Sequence, residues 1–211
     1  MTVIPLFPTP LYHVKLDLDI DLEYIENLVS YPYAAQDGFI SDNVNILLEE
    51  PLKELRDTIE KHMNILYFDV LRFRQGKPIH TGSWINKHNE GNCAPMHMHS
   101  NSCYSGVYYF NAPKDGGGIM FMHPEDQRPF ARTILPEVCE RTMWNSTVYR
   151  CPLEENNLLI FPSHVIHSTE PNQSKTESRY SLAFNYFIDG IIGQDSGKLE
   201  LTINPNSRLT S

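Results

Sequence analysis

Residues 179–187 read RYSLAFNYF, a run in which two sets of side chains alternate. Residues i and i+2 of a strand point to the same face of a sheet, so this run predicts a β-strand with two different faces. One face carries Arg179, Ser181 and Asn185. The opposite face carries side chains apolar enough to pack against supporting helices: Tyr180, Leu182, Phe184 and Tyr186.

Further segments with a strand-like pattern lie upstream of this strand. From Thr81 onward, short apolar segments are separated by Asn, Gly, Pro and Ser, which is typical of an antiparallel barrel or jelly roll. The predicted segments are 81–88, 95–100, 103–112, 117–122, 146–151, 157–162 and 179–189. Residues 125–145 form a long excursion between two of these strands, and such excursions often cover a site. We therefore expect a mainly β fold.

The first 80 residues have a different pattern. Residues 3–18 predict an edge strand, because proline interrupts them and is tolerated at sheet edges. Helices are predicted at 22–30 and 51–66, where apolar residues recur at helical spacing. The expected organisation is one domain, 1–211. Its parts are an N-terminal strand with supporting helices (1–80), a jelly-roll core (81–190) and a C-terminal extension (191–211).

Composition narrows the classes of partner. The formal net charge is −9, which argues against a broad electrostatic grip on nucleic acid or on an anionic membrane. The N-terminal residues lack the pattern of a signal peptide, and no run of about 18 apolar residues is present, so we expect a cytoplasmic protein. The cysteines form no Cys-x-x-Cys pair and are expected to be reduced thiols.

Six of the nine histidines lie between His88 and His167, within the predicted core. His97 and His99 lie two residues apart, and in a strand such a pair presents both imidazoles on one face, about 6.6 Å apart along the chain. His167 follows the apolar strand at 157–162, where the mouth of a barrel can hold a ligand. His164 is an alternative to His167 as the third ligand, but its neighbours predict a turn, so we expect it to be exposed or to support a metal ligand. A metal site on His97, His99 and His167 is the resulting hypothesis.

Arg179 lies twelve residues after His167, on the inner face of its strand. Burying an unpaired charge is costly, so this guanidinium needs a partner. A carboxylate ligand would bind it in a two-pronged, charge-assisted geometry, and the Ser181 hydroxyl can donate to the same group. The alternative is a structural ion pair with an Asp or Glu side chain.

Four segments, in this order, resemble the Fe(II)/2-oxoglutarate-dependent oxygenase superfamily. They are HMHSNSCYSGVYYFNAP (97–113), GGGIMF (116–121), LLIFPSHVIHSTEPN (158–172) and RYSLAFNYF (179–187). More narrowly, the chain is similar to a small group of oxygenases found in marine bacteria and their phages. That group's opening resembles PLFPTPLY at residues 5–12.

The resemblance implies a double-stranded β-helix (jelly roll) with a few supporting N-terminal helices. It also implies an Fe(II)- and 2-oxoglutarate-dependent dioxygenase that uses dioxygen and hydroxylates an unidentified substrate. By this resemblance His97 and His167 bind iron, and Arg179 and Ser181 bind the distal carboxylate of 2-oxoglutarate. Tyr109, in a segment similar to the prolyl-hydroxylase branch, is implied to reach that carboxylate as well.

The sequence departs from the superfamily pattern at His99, where a carboxylate is usual. Two histidines and one carboxylate leave an Fe(II) site with one net positive charge, whereas three neutral imidazoles leave two. The alternative is that His99 points away and a carboxylate completes the site. The candidates for that role are Glu90, Asp115, Glu125, Asp126 and Glu170.

Two other classes of function remain open from the residues alone. One is a metal enzyme that needs no cosubstrate, of cupin type, or a zinc hydrolase, because three histidines suit zinc as readily as iron. The other is a non-catalytic jelly-roll binding protein. Candidates for contacting a substrate are Trp84, Asn86, His88, and the 123–145 excursion with Trp144, Arg128, Arg132 and Arg141.

Overall fold

Strands in two antiparallel sheets dominate the computed structural model, which describes residues 1–28, 30–33, 37–123 and 136–204. The strands are β1 (Tyr12–Lys15), β2 (Ser30–Tyr33), β3 (Gly38–Ser41), β4 (Lys77–His88), β5 (Tyr104–Tyr109), β6 (Ile119–Met122), β7 (Val148–Cys151), β8 (Asn157–Pro162), β9 (His167–Thr169), β10 (Arg179–Ile192) and β11 (Leu199–Leu201). The larger sheet has the order β1-β8-β5-β10-β4-β3-β2, with β11 paired to β10, and the smaller has the order β7-β6-β9. The mainly β jelly-roll fold is confirmed.

The helices precede the long strands, as predicted. Helix α1 (Leu22–Glu26) begins after Asp21, whose carboxylate accepts hydrogen bonds from the first backbone N–H groups of the helix. Helix α2 (Lys53–Asn64) follows a 3₁₀ turn at Glu50–Leu52 and continues into a π-helical turn at Ile65–Val70. Its apolar face is buried against the larger sheet.

Two apolar cores lie on the two faces of the larger sheet. The first, between sheet and helices, contains the apolar side chains of α2 together with Tyr180, Leu182, Phe184 and Tyr186 of β10. The second lies between the two sheets and comprises Val107, Tyr109, Ile119, Phe121, Cys151, Leu159 and Phe161. The alternation predicted for residues 179–187 is therefore confirmed, because its apolar face packs against the helices.

The register of β10 determines what faces the space between the sheets. Ser181 lies opposite Asn86 of β4 and Tyr109 of β5. Ala183 lies opposite Trp84. Directly opposed residues of an antiparallel pair share a face, so these polar side chains line one inner surface with Arg179.

Several predicted boundaries are wrong. Residues 95–100 form no strand, since only His97 pairs there, as an isolated bridge to His167; Pro95 lacks the N–H that a ladder requires. The first helix ends at Glu26 rather than 30, because Asn27 caps it and the chain turns into β2. The short strands β2, β3, β9 and β11 were not predicted.

Within the described ranges, every helix is too short or too polar to cross a membrane.

Candidate metal centre

Three histidine side chains converge at one end of the space between the sheets. Each of His97, His99 and His167 offers a ring nitrogen, and these nitrogens lie within 4.8 Å of one another. Backbone hydrogen bonds fix the arrangement. His97 and His167 exchange two, each with an N···O distance of 2.9 Å, and the His99 N–H donates to the Ser163 carbonyl at 3.0 Å. The three residues predicted from sequence are thus brought together.

The Nδ1 atom of each ring already has a protein acceptor. His97 Nδ1 lies 2.7 Å from the Pro95 carbonyl, and His167 Nδ1 lies 2.8 Å from the Val165 carbonyl. Because a carbonyl oxygen only accepts, both Nδ1 atoms must carry the proton. The Nε2 atoms of these two rings then keep their lone pairs, which is the form that binds a metal ion.

Burial favours the uncharged form of two of the three histidines, His99 and His167. The pKa of His167 is lowered to about 3, mainly by burial and also by the neighbouring His97 and His99, against the opposing effect of its hydrogen bond to Val165. Burial also lowers the pKa of His99. Neutral imidazoles do not have to lose a proton before they coordinate a metal.

No carboxylate joins these histidines in the part of the chain that the structure describes. Glu170 is engaged elsewhere: one carboxylate oxygen lies 3.3 Å from Arg150 Nε, and the other accepts from the Gly118 N–H at 3.3 Å. The candidates Glu125 and Asp126 lie outside the described residues. As expected, His164 is exposed.

Arg179 is completely buried at the other end of the same inner surface. Its Nη1 donates to the carbonyls of Gly116 (2.6 Å), Gly117 (3.0 Å) and Glu170 (3.1 Å). Its Nη2 donates to the Thr169 hydroxyl at 3.0 Å. All four acceptors are uncharged, and none of the ion pairs among the described residues includes Arg179. The structural ion pair considered as an alternative is therefore not formed there.

Four polar atoms of the inner surface that carries Arg179 are buried without a hydrogen-bond partner among the described residues. They are Arg179 Nε, Tyr109 Oη, Trp84 Nε1 and Asn86 Oδ1. Burial raises the pKa of Tyr109 to about 12, so its hydroxyl remains a donor at neutral pH. Most buried polar groups in proteins are paired, and a cluster of exceptions on one surface indicates a missing polar ligand.

Trp84 connects the two parts of this surface. Its ring stacks on His99 with the centroids 5.8 Å apart, while its Nε1 is one of the unpartnered atoms. Of the other candidates for substrate contact, His88 is buried opposite Arg179, and Trp144 and Arg141 are exposed. Arg128 and Arg132 lie outside the described residues.

Sequence reasoning placed Asn185 on the inner face but assigned it no part in the site. Its Oδ1 accepts hydrogen bonds from His99 Nδ1 at 2.6 Å and from the Ser105 hydroxyl at 2.8 Å. The alternation of residues 179–187 gave the correct face. No local signal could identify a partner 86 positions away.

Comparison with known proteins agrees with this geometry. Residues 82–185 match the family model described as "Putative 2OG-Fe(II) oxygenase". The matched range contains the histidine cluster, Tyr109 and Arg179. No curated protein matches the chain.

Solved structures with a similar fold have low sequence identity. A prolyl-4-hydroxylase from Pseudomonas putida has a TM-score of 0.54 and 13% identity, with 84% of this chain and 92% of that chain covered. A prolyl hydroxylase from Trichoplax adhaerens, solved with a peptide of hypoxia inducible factor, has a TM-score of 0.54 and 15% identity, over 79% and 74% of the chains. HygX from Streptomyces hygroscopicus, solved with nickel and 2-oxoglutarate, has a TM-score of 0.56 and 8% identity, over 84% and 82%.

At these identities the neighbours establish the fold alone, whereas the family match covers the segments that carry the histidine cluster. The histidines are arranged as a metal site requires, and the buried arginine surface lies beside them. The family match over residues 82–185, together with the shared fold, supports the enzyme class of 2-oxoglutarate- and Fe(II)-dependent oxygenases for this chain.

Proposed function

We propose that this protein is a dioxygenase that holds Fe(II) on the Nε2 atoms of His97, His99 and His167. The proximity of the three rings and the acceptors on their Nδ1 atoms support this ligand set. An all-histidine set differs from the usual two histidines and one carboxylate. With neutral ligands the site keeps both positive charges of the ion, which favours an anionic cosubstrate.

We further propose that Arg179, Tyr109 and Ser181 bind the distal carboxylate of 2-oxoglutarate. One observation carries this assignment: a fully buried guanidinium has only uncharged acceptors, and its Nε and the neighbouring Tyr109 hydroxyl lack partners among the described residues. A carboxylate would supply both the missing negative charge and the missing acceptors. Ser181, opposite Tyr109 in the sheet, faces the same space.

Fe(II) and 2-oxoglutarate, when bound, would supply oxidative decarboxylation to succinate and CO2, coupled to insertion of the second oxygen atom of dioxygen into a substrate C–H bond. The residues of the chain would orient the cosubstrate and exclude water from the site. Arg179 fixes one end of the cosubstrate, and the apolar residues between the sheets keep the space dry. Hydroxylation of an unidentified substrate is the outcome that we propose.

One feature separates this proposal from a cupin-type enzyme without a cosubstrate. Such an enzyme needs the histidines but has no use for a buried cation surrounded by unpartnered atoms. The all-histidine set alone suits zinc as well as iron, so it does not distinguish a 2-oxoglutarate-dependent enzyme from a cosubstrate-free one. The narrower similarity to oxygenases of marine bacteria and phages is part of this proposal and depends on the quoted motifs, including residues 5–12.

The test is calorimetric titration of 2-oxoglutarate into protein loaded anaerobically with Fe(II), followed by admission of oxygen. We expect one equivalent to bind only when metal is present, and succinate to form only when oxygen is present. Tight metal binding with neither 2-oxoglutarate binding nor succinate formation would favour the cosubstrate-free enzyme. Absence of tight metal binding would leave a non-catalytic binding protein.

A further inference from the structure

The acceptor for His99 differs in kind from those for the other two histidines. His97 and His167 donate to backbone carbonyls of residues two positions earlier in the chain. His99 instead donates to a side chain, the amide oxygen of Asn185, at 2.6 Å. This contact joins residues that are 86 positions apart and therefore depends on how β10 is placed in the larger sheet.

Asn185 is itself held by a chain of serine hydroxyls. Ser105 donates to the same amide oxygen at 2.8 Å. Ser163 Oγ lies 2.8 Å from both Ser105 Oγ and Ser102 Oγ, and its single hydroxyl hydrogen donates to one of the two. The Ser102 hydroxyl donates to the carbonyl of Tyr104 at 2.9 Å.

This network holds His99 at two points. Its Nδ1–H donates to the amide oxygen of Asn185, and its backbone N–H donates to the carbonyl of Ser163, one of the serines of the same network. Ser105 and Ser163 are almost completely buried, with exposures of 0% and 1%. Buried, hydrogen-bonded networks of this kind restrict the orientations of their side chains.

We propose that Asn185, held in place by Ser105, is the positioning residue that makes His99 a metal ligand. This inference rests on the proposed function. A carboxylate at position 99 would offer an oxygen lone pair in either orientation, whereas an imidazole has two tautomers and must also be turned correctly. The Asn185 amide oxygen accepts the Nδ1–H, which fixes the ring and leaves the Nε2 lone pair for the metal. Loss of such a partner typically weakens metal binding about 10- to 100-fold.

The decisive variant is Asn185→Leu, which keeps the side-chain size but removes the acceptor. The probe is Co(II), bound by the full-length protein and followed by equilibrium dialysis and by its visible ligand-field spectrum. We expect about 10- to 100-fold weaker Co(II) binding and a spectrum that indicates one nitrogen ligand fewer. Asn185→Asp, which retains an acceptor oxygen, should restore both the affinity and the wild-type spectrum.

Asn111→Leu serves as a matched control. The Asn111 amide likewise holds two groups, here backbone ones, donating to the Ser178 carbonyl and accepting from the Tyr180 N–H, and neither of these contacts involves the histidine cluster. We expect this variant to bind Co(II) as the wild type does. If Asn185→Leu does not fold, Ser105→Ala provides a second test. It removes the donor to Asn185 and the contact with Ser163 but keeps Asn185 itself, and it should weaken Co(II) binding by a smaller factor.

A folded Asn185→Leu protein with wild-type affinity and spectrum would overturn the inference, as would equal losses in the Asn111→Leu control. These outcomes differ from failure of the proposed function. If the wild-type protein itself binds no Co(II), or binds it without histidine ligands, then the metal site is wrong and the role of Asn185 falls with it.

Discussion

Tyr108 and Tyr109 are adjacent in β5, yet their hydroxyl groups have opposite surroundings. The Tyr108 hydroxyl donates to Asn156 on the helix side of the larger sheet. The Tyr109 hydroxyl, on the inner side, is buried with no partner among the described residues. One hydroxyl therefore contributes to the fold, and the other is available to a ligand. Substituting each tyrosine by phenylalanine therefore tests protein stability and 2-oxoglutarate binding separately.

We predict that Tyr109→Phe weakens 2-oxoglutarate binding about 5- to 10-fold, the value of one hydrogen bond of about 1–1.4 kcal/mol. The free energy of unfolding should stay unchanged or rise, because an unpaired buried hydroxyl is removed. Calorimetry and urea denaturation measure the two quantities.

Tyr108→Phe should behave in the opposite way, with lower stability and unchanged 2-oxoglutarate affinity. If the two variants weaken 2-oxoglutarate binding equally, the placement of the carboxylate beside Tyr109 is wrong.

The histidine cluster gives a second prediction at the scale of single residues. Replacing any one of His97, His99 or His167 by alanine should remove tightly bound Fe(II), because each is one of the three proposed protein ligands. His164→Ala is the matched control, since that side chain is exposed and close in sequence. Metal content after anaerobic dialysis is the readout. Full metal retention in His99→Ala would show that another group completes the site.

At the scale of elements, β10 forms both the outer core and the inner site. Its alternation could be predicted from residues 179–187 alone, because strand geometry repeats every two residues. The short edge strands β2 and β11 could not be predicted, since three or four residues carry too little pattern. The acceptors of Arg179 were equally hidden. Three of the four are backbone carbonyls of residues outside its strand, and any sequence has carbonyls there.

Arg179 also ties the two sheets together. It belongs to β10 of the larger sheet, while its acceptor Thr169 belongs to β9 of the smaller one. Substituting Arg179 would therefore alter both the packing of the sheets and any bound carboxylate. For this reason Tyr109 is the better position for testing cosubstrate binding.

Close packing between β5 and β10 gives a prediction for Gly106. A Cβ added there would lie 2.2 Å from Phe184 Cζ and 2.6 Å from the Leu159 carbonyl oxygen. Phe184 is completely buried and has no room to move. We expect Gly106→Ala to lower the free energy of unfolding by about 1–3 kcal/mol.

The control for Gly106 is Gly82→Ala in β4. The nearest atom to a Cβ at Gly82 is the Val44 carbonyl oxygen at 3.6 Å, an ordinary contact. Denaturant unfolding should show a much smaller loss for this variant. Equal losses would mean that the packing around Phe184 adapts more readily than the distances indicate.

At the scale of the whole molecule, buried histidines make stability depend on pH. Burial lowers the pKa of His80 to about 4, and its Nε2 has no partner among the described residues. The unfolded chain binds this proton near pH 6.5, whereas the folded chain binds it only near pH 4. The folded state should therefore lose stability as the pH falls between these values, by about 1.4 kcal/mol per pH unit for this group.

His80→Asn should remove the contribution of this group to the pH dependence of the free energy of unfolding. Urea denaturation of the metal-free protein between pH 7 and pH 4 measures it, with wild type and variant compared at each pH. Parallel curves for the two proteins would show that His80 keeps an ordinary pKa in the folded state.

An anaerobic crystal structure with Fe(II) and 2-oxoglutarate tests the central claim most directly. The account predicts one metal ion bound by Nε2 of His97, His99 and His167, with the distal carboxylate of 2-oxoglutarate at Arg179 Nε and the Tyr109 hydroxyl. A carboxylate side chain in place of His99 would contradict the ligand set. A cosubstrate bound away from Arg179, or absent from a metal-loaded site, would contradict the proposed function.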